Sequence, residues 1–177
     1  IAQRADPEAL VLLAPSDHVI ADNASFAASV RRGIDRARSE ALVTFGVRPD
    51  CPHTGYGYIE SDSNKADDSG VFAVQRFVEK PSKDMAEAYV ESGRYFWNAG
   101  IFLFSADVLL RLFETHAPEI LSACRRALDA TVEDLNFLVL GDQYSEAQAI
   151  SLDYAIVEKA DTIGCVPLNT AWSDVGS

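Results

Sequence analysis

The stretch "EALVLLAPSDHVI", residues 8–20, decides the fold. An apolar run over 9–14 halts at Pro15, and a Ser, an Asp and a His follow almost directly. A short continuous apolar run closed by Pro predicts a strand buried on both faces. Just beyond it, Asp22 or Asn23 is placed to cap a helix in which Phe26, Val30, Ile34, Ala37 and Ala41 share one face. "LVTFGV", Leu42–Val47, reads as a second strand. Strand, helix, strand within about 40 residues predicts a βαβ unit with parallel strands.

Outward from there, "YGYIES" and "VFAVQRFVEK" read as two strands. The polar, Gly-ended "SDSNKADDSG" joins them as a hairpin. A helix is expected near 83–92, with Met85, Ala88 and Tyr89 on one face. A strand follows over 100–104, then helices over 106–115 and from Pro118 to about residue 130. More helix is expected within 137–161, and a last strand over 162–167. No repeat or linker interrupts the chain. The pattern predicts one α/β domain, residues 1–177, with a mixed, mostly parallel sheet flanked by helices.

Composition narrows the functional classes. The 177 residues are 48% hydrophobic, enough for one globular core. No apolar run reaches the 18 residues of a membrane span, so no membrane partner is expected. No segment has the order of a signal peptide. The sequence begins at Ile1 rather than Met, as expected of a piece of something longer. Fifteen Lys and Arg against 27 Asp and Glu give a net charge of −12, without the basic face of a nucleic-acid binder. An acidic protein still binds phosphates if it supplies a metal ion or a few placed cations. Cys51, Cys124 and Cys165 are widely spaced and form no CxxC, so neither zinc nor a disulfide framework is indicated. Free thiols fit a reducing, cytoplasmic setting.

In open α/β sheets ligands bind beyond the carboxyl ends of the strands. Asp17 stands three residues after the first apolar run, where a carboxylate is a hard oxygen ligand for Mg²⁺ or simply a turn residue. Asp174 lies beyond the last strand in the same way, and two acids on one rim can share a cation. "TGYGYI" brackets Tyr56 with glycines, which allow close backbone approach or a tight turn. "RFVEKP" ends a strand with Glu79 and Lys80: a surface charge pair, or Glu for hydroxyls and Lys for a phosphate. "YFWNAGIFLF" encloses Asn98 among aromatic and apolar residues, where its amide needs backbone or ligand partners. "SLDYAIVEK" carries Asp153, Glu158 and Lys159, on a pattern that also suits an ordinary amphipathic helix edge. His18, His53 and His116 show no metal spacing, and no G-x-S-x-G, Walker A or H-E-x-x-H is present.

Taken together, "LAPSDHVI", "TGYGYIE", "RFVEKP", "YFWNAGIFLF", "SLDYAIVEKAD" and "AWSDVGS" resemble the sugar-1-phosphate nucleotidylyltransferases. The likeness is greatest to the bacterial branch that transfers GMP to mannose 1-phosphate, often fused to a mannose-6-phosphate isomerase domain. The motifs run in family order from Leu13 to Ser177. The resemblance implies a Rossmann-like, GT-A-like nucleotidyltransferase fold with GTP and mannose 1-phosphate as substrates. It implies Mg²⁺ on Asp17 and Asp174, with the sugar held by the backbone at Gly57 and by Glu79 and Asn98. Lys80 is expected on the sugar phosphate, and Asp153 and Lys159 near the sugar. Asp17, Lys80 and Asp174 would thus carry the chemistry.

The family's opening strand and Gly-rich loop of the type GGxGTRLWPLS have no counterpart here, where the first glycine is Gly33. The chain is therefore expected to be the acceptor and metal half, without the first βα unit, inactive by itself and prone to self-association. Base choice is not legible in it. Alternative readings are another hexose 1-phosphate or nucleotide, or a non-catalytic sugar-nucleotide-binding regulator.

Overall fold

The computed structural model describes residues 1–135 and 137–175, and of 62–65 the backbone alone. Residues 176 and 177 of the "AWSDVGS" motif lie outside the described residues. In chain order the elements are α1 (Ala2–Ala5), β1 (Leu10–Leu13), β2 (His18–Ile20), α2 (Asn23–Arg38), β3 (Leu42–Val47), β4 (Tyr58–Ala66) and β5 (Phe72–Val78). Then come α3 (Lys83–Ser92), β6 (Tyr95–Ser105), α4 (Ala106–His116), α5 (Pro118–Asp129), β7 (Val132–Asp134) and β8 (Phe137–Val139). The chain ends with α6 (Leu152–Ala155), β9 (Ile163–Pro167) and β10 (Trp172–Asp174).

β6 organises the sheet. Its aromatic and branched residues suit a buried strand, and nine of its 11 residues are buried. The strand order is β1-β6-β3-β9-β5-β4, with β4 also pairing back to β6. Strands β6, β3, β9, β5 and β4 thus close a circuit, and Ile59, Phe96 and Cys165 pack in it with Phe72, Val74 and Phe77.

One expectation holds with an addition and one changes. β1 and β3 do run parallel, but β6 lies between them and is antiparallel to both. And β1 is an edge strand, with Leu12 41% and Leu13 44% exposed, rather than a strand buried on both faces. The sheet is mixed, as expected. Four of its six strands, β1, β3, β4 and β9, point the same way, yet only β3 and β9 are parallel neighbours.

Helix α2 starts where Asp22 accepts hydrogen bonds from the backbone N–H groups of Ala24 and Ser25. Its Phe26, Val30, Ile34 and Ala37 pack with Val43, Phe45, Ile101 and Val166. Ser82 caps α3, and Gly93 ends it in the left-handed region at φ 66°. The buried face of α3 is Ala86 and Tyr89; Met85 and Ala88, expected beside Tyr89, are exposed. The stretch 137–161, where more helix was expected, holds the second strand of a small hairpin, β7–β8, a 3-10 turn at Asp142–Glu146, the single turn α6 and a 3-10 turn at Val157–Lys159. Among the described residues no helix is long and apolar enough to cross a membrane.

Candidate functional site

The acid that follows the first strand is brought to the end of the chain by a second, minor sheet. β2 pairs antiparallel with β10, so that His18 faces Asp174 and Ile20 faces Trp172. The Val175 N–H donates to the Asp17 carbonyl at 3.1 Å. Asp17 and Asp174, 157 positions apart in sequence, therefore share one rim with His18, with ligand atoms of all three within 4.8 Å of one another.

The donor set fits a hard cation. Two carboxylates supply oxygen. The Trp172 indole N–H, which only donates, reaches His18 Nδ1 at 3.2 Å. The His18 Nδ1 is thus engaged by the indole. The ring plane stands at 88° to Trp172, so the histidine acts as a wall of the rim.

Next to this rim is a cleft of ≈ 170 Å³ that gathers Gly57, Glu79, Lys80, Asn98, Asp153 and Asp174. β5 ends at Val78, so Glu79 and Lys80 escape strand alternation and both line the cleft. The turn is strained: Lys80 has φ 47° although it precedes Pro81. Its ammonium lies 3.9 Å from a Glu79 carboxylate oxygen. The Glu79 side chain is only 12% exposed, while that of Lys80 is 59% exposed. Burial first, then the Asp153 carboxylate, push the Glu79 carboxyl up to about 7; Lys80 opposes this and Glu158 adds to it.

Asn98 stands at the floor of the cleft on β6. Its Nδ2 donates to Asp153 Oδ1 at 2.8 Å, and its backbone N–H donates to the Gly57 carbonyl at 2.8 Å. Gly57 leaves room for the Glu79 carboxylate: a Cβ there would stand 2.5 Å from Glu79 Oε2, which would have to shift, and 3.0 Å from Phe77 Cζ. Burial raises the Asp153 carboxyl, while hydrogen bonds from its own backbone and from Asn98 hold it back. The arrangement offers an amide donor between two carboxylates, which suits hydroxyl groups, beside an ammonium and a cation rim, which suit phosphate.

The expected residues thus converge, with one correction. Lys159 is exposed and lines a different cleft, with His116 and Ala117. Helix α6 stops at Ala155 and the backbone breaks at Ile156 (φ −128°, ψ −56°); in the 3-10 segment that follows, Glu158 accepts from the Glu79 N–H at 3.3 Å while Lys159 lines the other cleft. Sequence reasoning missed Thr44, whose hydroxyl reaches Asn98, and the pairing of His18 with Trp172. A lone polar residue in an apolar strand was the available signal for Thr44. A larger cavity of ≈ 410 Å³ lies between α4, α5 and residues 144–152, lined largely by apolar groups such as Phe113, Ile120 and Ile150. Its lining holds none of the expected residues and no charged side chain, so the smaller cleft is the candidate site.

Comparison with known proteins identifies the family. The chain is 44% identical over 181 residues to the mannose-1-phosphate guanylyltransferase of Escherichia coli (strain K12), covering 99% of this chain and 38% of that protein. Among solved structures, it superposes on a protein described as the mannose-6-phosphate isomerase of Helicobacter pylori with a TM-score of 0.85 and 36% identity, over 98% of this chain and 67% of that one. It also matches a Thermus thermophilus protein described as a mannose-1-phosphate geranyltransferase, with a TM-score of 0.83 and 31% identity, over 99% of this chain and 49% of that one. The chain spans little more than a third of the length of the curated relatives it matches. The profile of the nucleotidyl transferase family matches residues 1–177. With a match over its full length and the expected acids gathered at one rim, the chain belongs to the nucleotidyl transferase family.

Proposed function

We propose that this chain is the sugar-phosphate and metal-holding part of a mannose-1-phosphate guanylyltransferase, which joins GTP and mannose 1-phosphate to give GDP-mannose and pyrophosphate. The observation that carries the reading is the single cleft shared by Glu79, Lys80, Asn98 and Asp153, which opens beside the rim of Asp17 and Asp174. In this reading Glu79, Asn98 and Asp153 grip the hexose hydroxyls, with Gly57 making room for the Glu79 carboxyl. Lys80 meets the sugar phosphate. The reaction is cytoplasmic, and an isomerase region elsewhere in the full-length protein is compatible with it.

The chemistry follows from charge. A phosphate monoester has its second pKa near about 6, so mannose 1-phosphate is a dianion at neutral pH and needs no general base. One of its oxygens attacks the α-phosphorus of GTP, a new P–O bond forms, and the bond to the bridging oxygen breaks to release pyrophosphate. Repulsion between anions and loss of orientation are the obstacles. Lys80 counters the first, and the hydroxyl-binding set counters the second by holding the sugar in place. Asp17 and Asp174 would hold Mg²⁺, which when bound neutralises charge at the reacting phosphates. Contacts to the base belong to the Gly-rich region of the family, upstream of these motifs.

The test is product analysis on the full-length protein with GTP, Mg²⁺ and mannose 1-phosphate. GDP-mannose and stoichiometric pyrophosphate are expected. Faster turnover with glucose 1-phosphate, or with UTP in place of GTP, would overturn the substrate assignment.

A further inference from the structure

We infer that Thr44, buried beneath the cleft, is the positioning residue that fixes the Asn98 amide as a donor to the sugar; this rests on the reading of Asn98 given above. Thr44 is fully buried in β3, where the flanking Leu42, Val43 and Phe45 are apolar and equally buried. A hydroxyl in such a place is tolerated only when bonded. Its Oγ1 donates to Asn98 Oδ1 at 2.8 Å. The alternative acceptor, the Ile101 carbonyl, is 3.5 Å away, and a hydroxyl has one hydrogen to give.

The local register explains why the bond is needed. Opposite β3, Thr44 pairs with Phe102 and Gly46 pairs with Asn98. Two steps on β3 therefore face four on β6, which bulges between Asn98 and Phe102. Gly100, at φ 66°, carries the bulge. The bulge takes the Gly100 N–H out of the ladder, and that group donates instead to Asn98 Oδ1 at 3.2 Å. A backbone N–H only donates, so Oδ1 must face Thr44 and Gly100, and Nδ2 must face Asp153. One hydrogen of Nδ2 is taken by Asp153; the other is the donor the amide has left for a ligand. Thr44 thus secures both the bulge and the polarity of the site. Without its hydroxyl, Oδ1 keeps one donor instead of two, and the amide gains freedom to turn.

The experiment compares Thr44→Val, isosteric but without the donor, with Thr44→Ser, which keeps it. In the full-length enzyme Thr44→Val is expected to raise KM for mannose 1-phosphate about tenfold, the cost of one hydrogen bond, while KM for GTP stays within twofold. Thr44→Ser is expected to restore the sugar constant. A purely structural role would move both constants or only the melting temperature. Crystal structures of the two variants give a reading independent of activity: the Asn98 side chain should be turned or disordered in Thr44→Val and unchanged in Thr44→Ser. If the wild-type enzyme makes no GDP-mannose, the functional reading fails, but the crystallographic comparison still decides the role of Thr44. An Asn98 amide that stays on Gly100 in Thr44→Val, or an unchanged sugar constant in an active enzyme, overturns the inference.

Discussion

On one side of the cleft Glu79, Asn98 and Asp153 are at least half-buried, and Asn98 stands on the main sheet with a direct hydrogen bond to Asp153. On the other, Asp174 belongs to a minor ladder of three residues per strand, and Asp17, just before that ladder, is exposed. In the proposed function the contrast follows from what each side would bind. Neutral hydroxyls give weak, directional bonds, and recognition of them depends on donors and acceptors fixed in advance. A divalent cation brings its own strong field and draws carboxylates in, so its ligands need only be near one another. The sugar side is therefore expected to govern KM for the sugar phosphate and part of the stability, and the metal rim to govern turnover.

The largest break in that contrast is expected from Asp174→Asn. In the complete enzyme it should cut turnover by roughly a thousandfold, a loss of several kcal/mol of transition-state stabilisation. Thermal stability should change by less than about 1 kcal/mol, because the residue lies at the edge of a short ladder. Turnover within a few-fold of wild type at low Mg²⁺ would remove Asp174 from the metal rim.

Lys80→Met comes next. Loss of a charge-assisted contact should raise KM for mannose 1-phosphate roughly 10- to 100-fold and leave KM for GTP nearly unchanged. Steady-state constants for both substrates check this, and equal shifts in the two would place Lys80 on shared phosphate binding.

Gly57→Ala sharpens the comparison from the stability side. The new methyl group meets the Glu79 carboxylate and the Phe77 ring, at a cost of about 1–3 kcal/mol. Thermal denaturation and the sugar constant should both worsen, which no rim variant is expected to do.

The smallest effect concerns pH. The Glu79 carboxyl titrates at about 7 in the fold and near about 4.3 in an unfolded chain. The folded state holds that proton more tightly, so the contribution of Glu79 to stability is lost as pH rises from about 4 to 7. Glu79→Gln should therefore be more stable than wild type at pH 8, by about 1–2 kcal/mol after allowance for solvent screening, with the gap closing by pH 4. Denaturant melts at the two pH values measure it. A gap that is constant with pH would mean that Glu79 ionises normally.

Much of this was legible in the sequence because the signals were local. An apolar run before Asp17, a Gly on either side of Tyr56 and a strand end at Glu79 and Lys80 each describe a position within a few residues. Helix α2 declared itself through its cap and apolar spacing, and α5 through the Pro at its start. What escaped depends on pairing between distant segments. The insertion of β6 between β1 and β3 is one case, and the β2–β10 ladder that unites the two acids is another. Thr44 was hidden because an isolated Thr in an apolar strand is ordinary for a sheet; only the bulge opposite it gives its hydroxyl a task. Lys159 was expected near the sugar only from the likeness of "SLDYAIVEK" to a family motif, and the backbone break at Ile156 sets it in another cleft.

The central claim is that Asp17 and Asp174 hold one divalent cation across the β2–β10 ladder. Titration of the full-length protein with Mn²⁺, followed by electron paramagnetic resonance, tests it most directly. Wild type is expected to bind one Mn²⁺ at this rim, with affinity at least tenfold weaker in both Asp17→Asn and Asp174→Asn and unchanged in Glu79→Gln. Equal Mn²⁺ affinity in wild type and both rim variants would contradict the account.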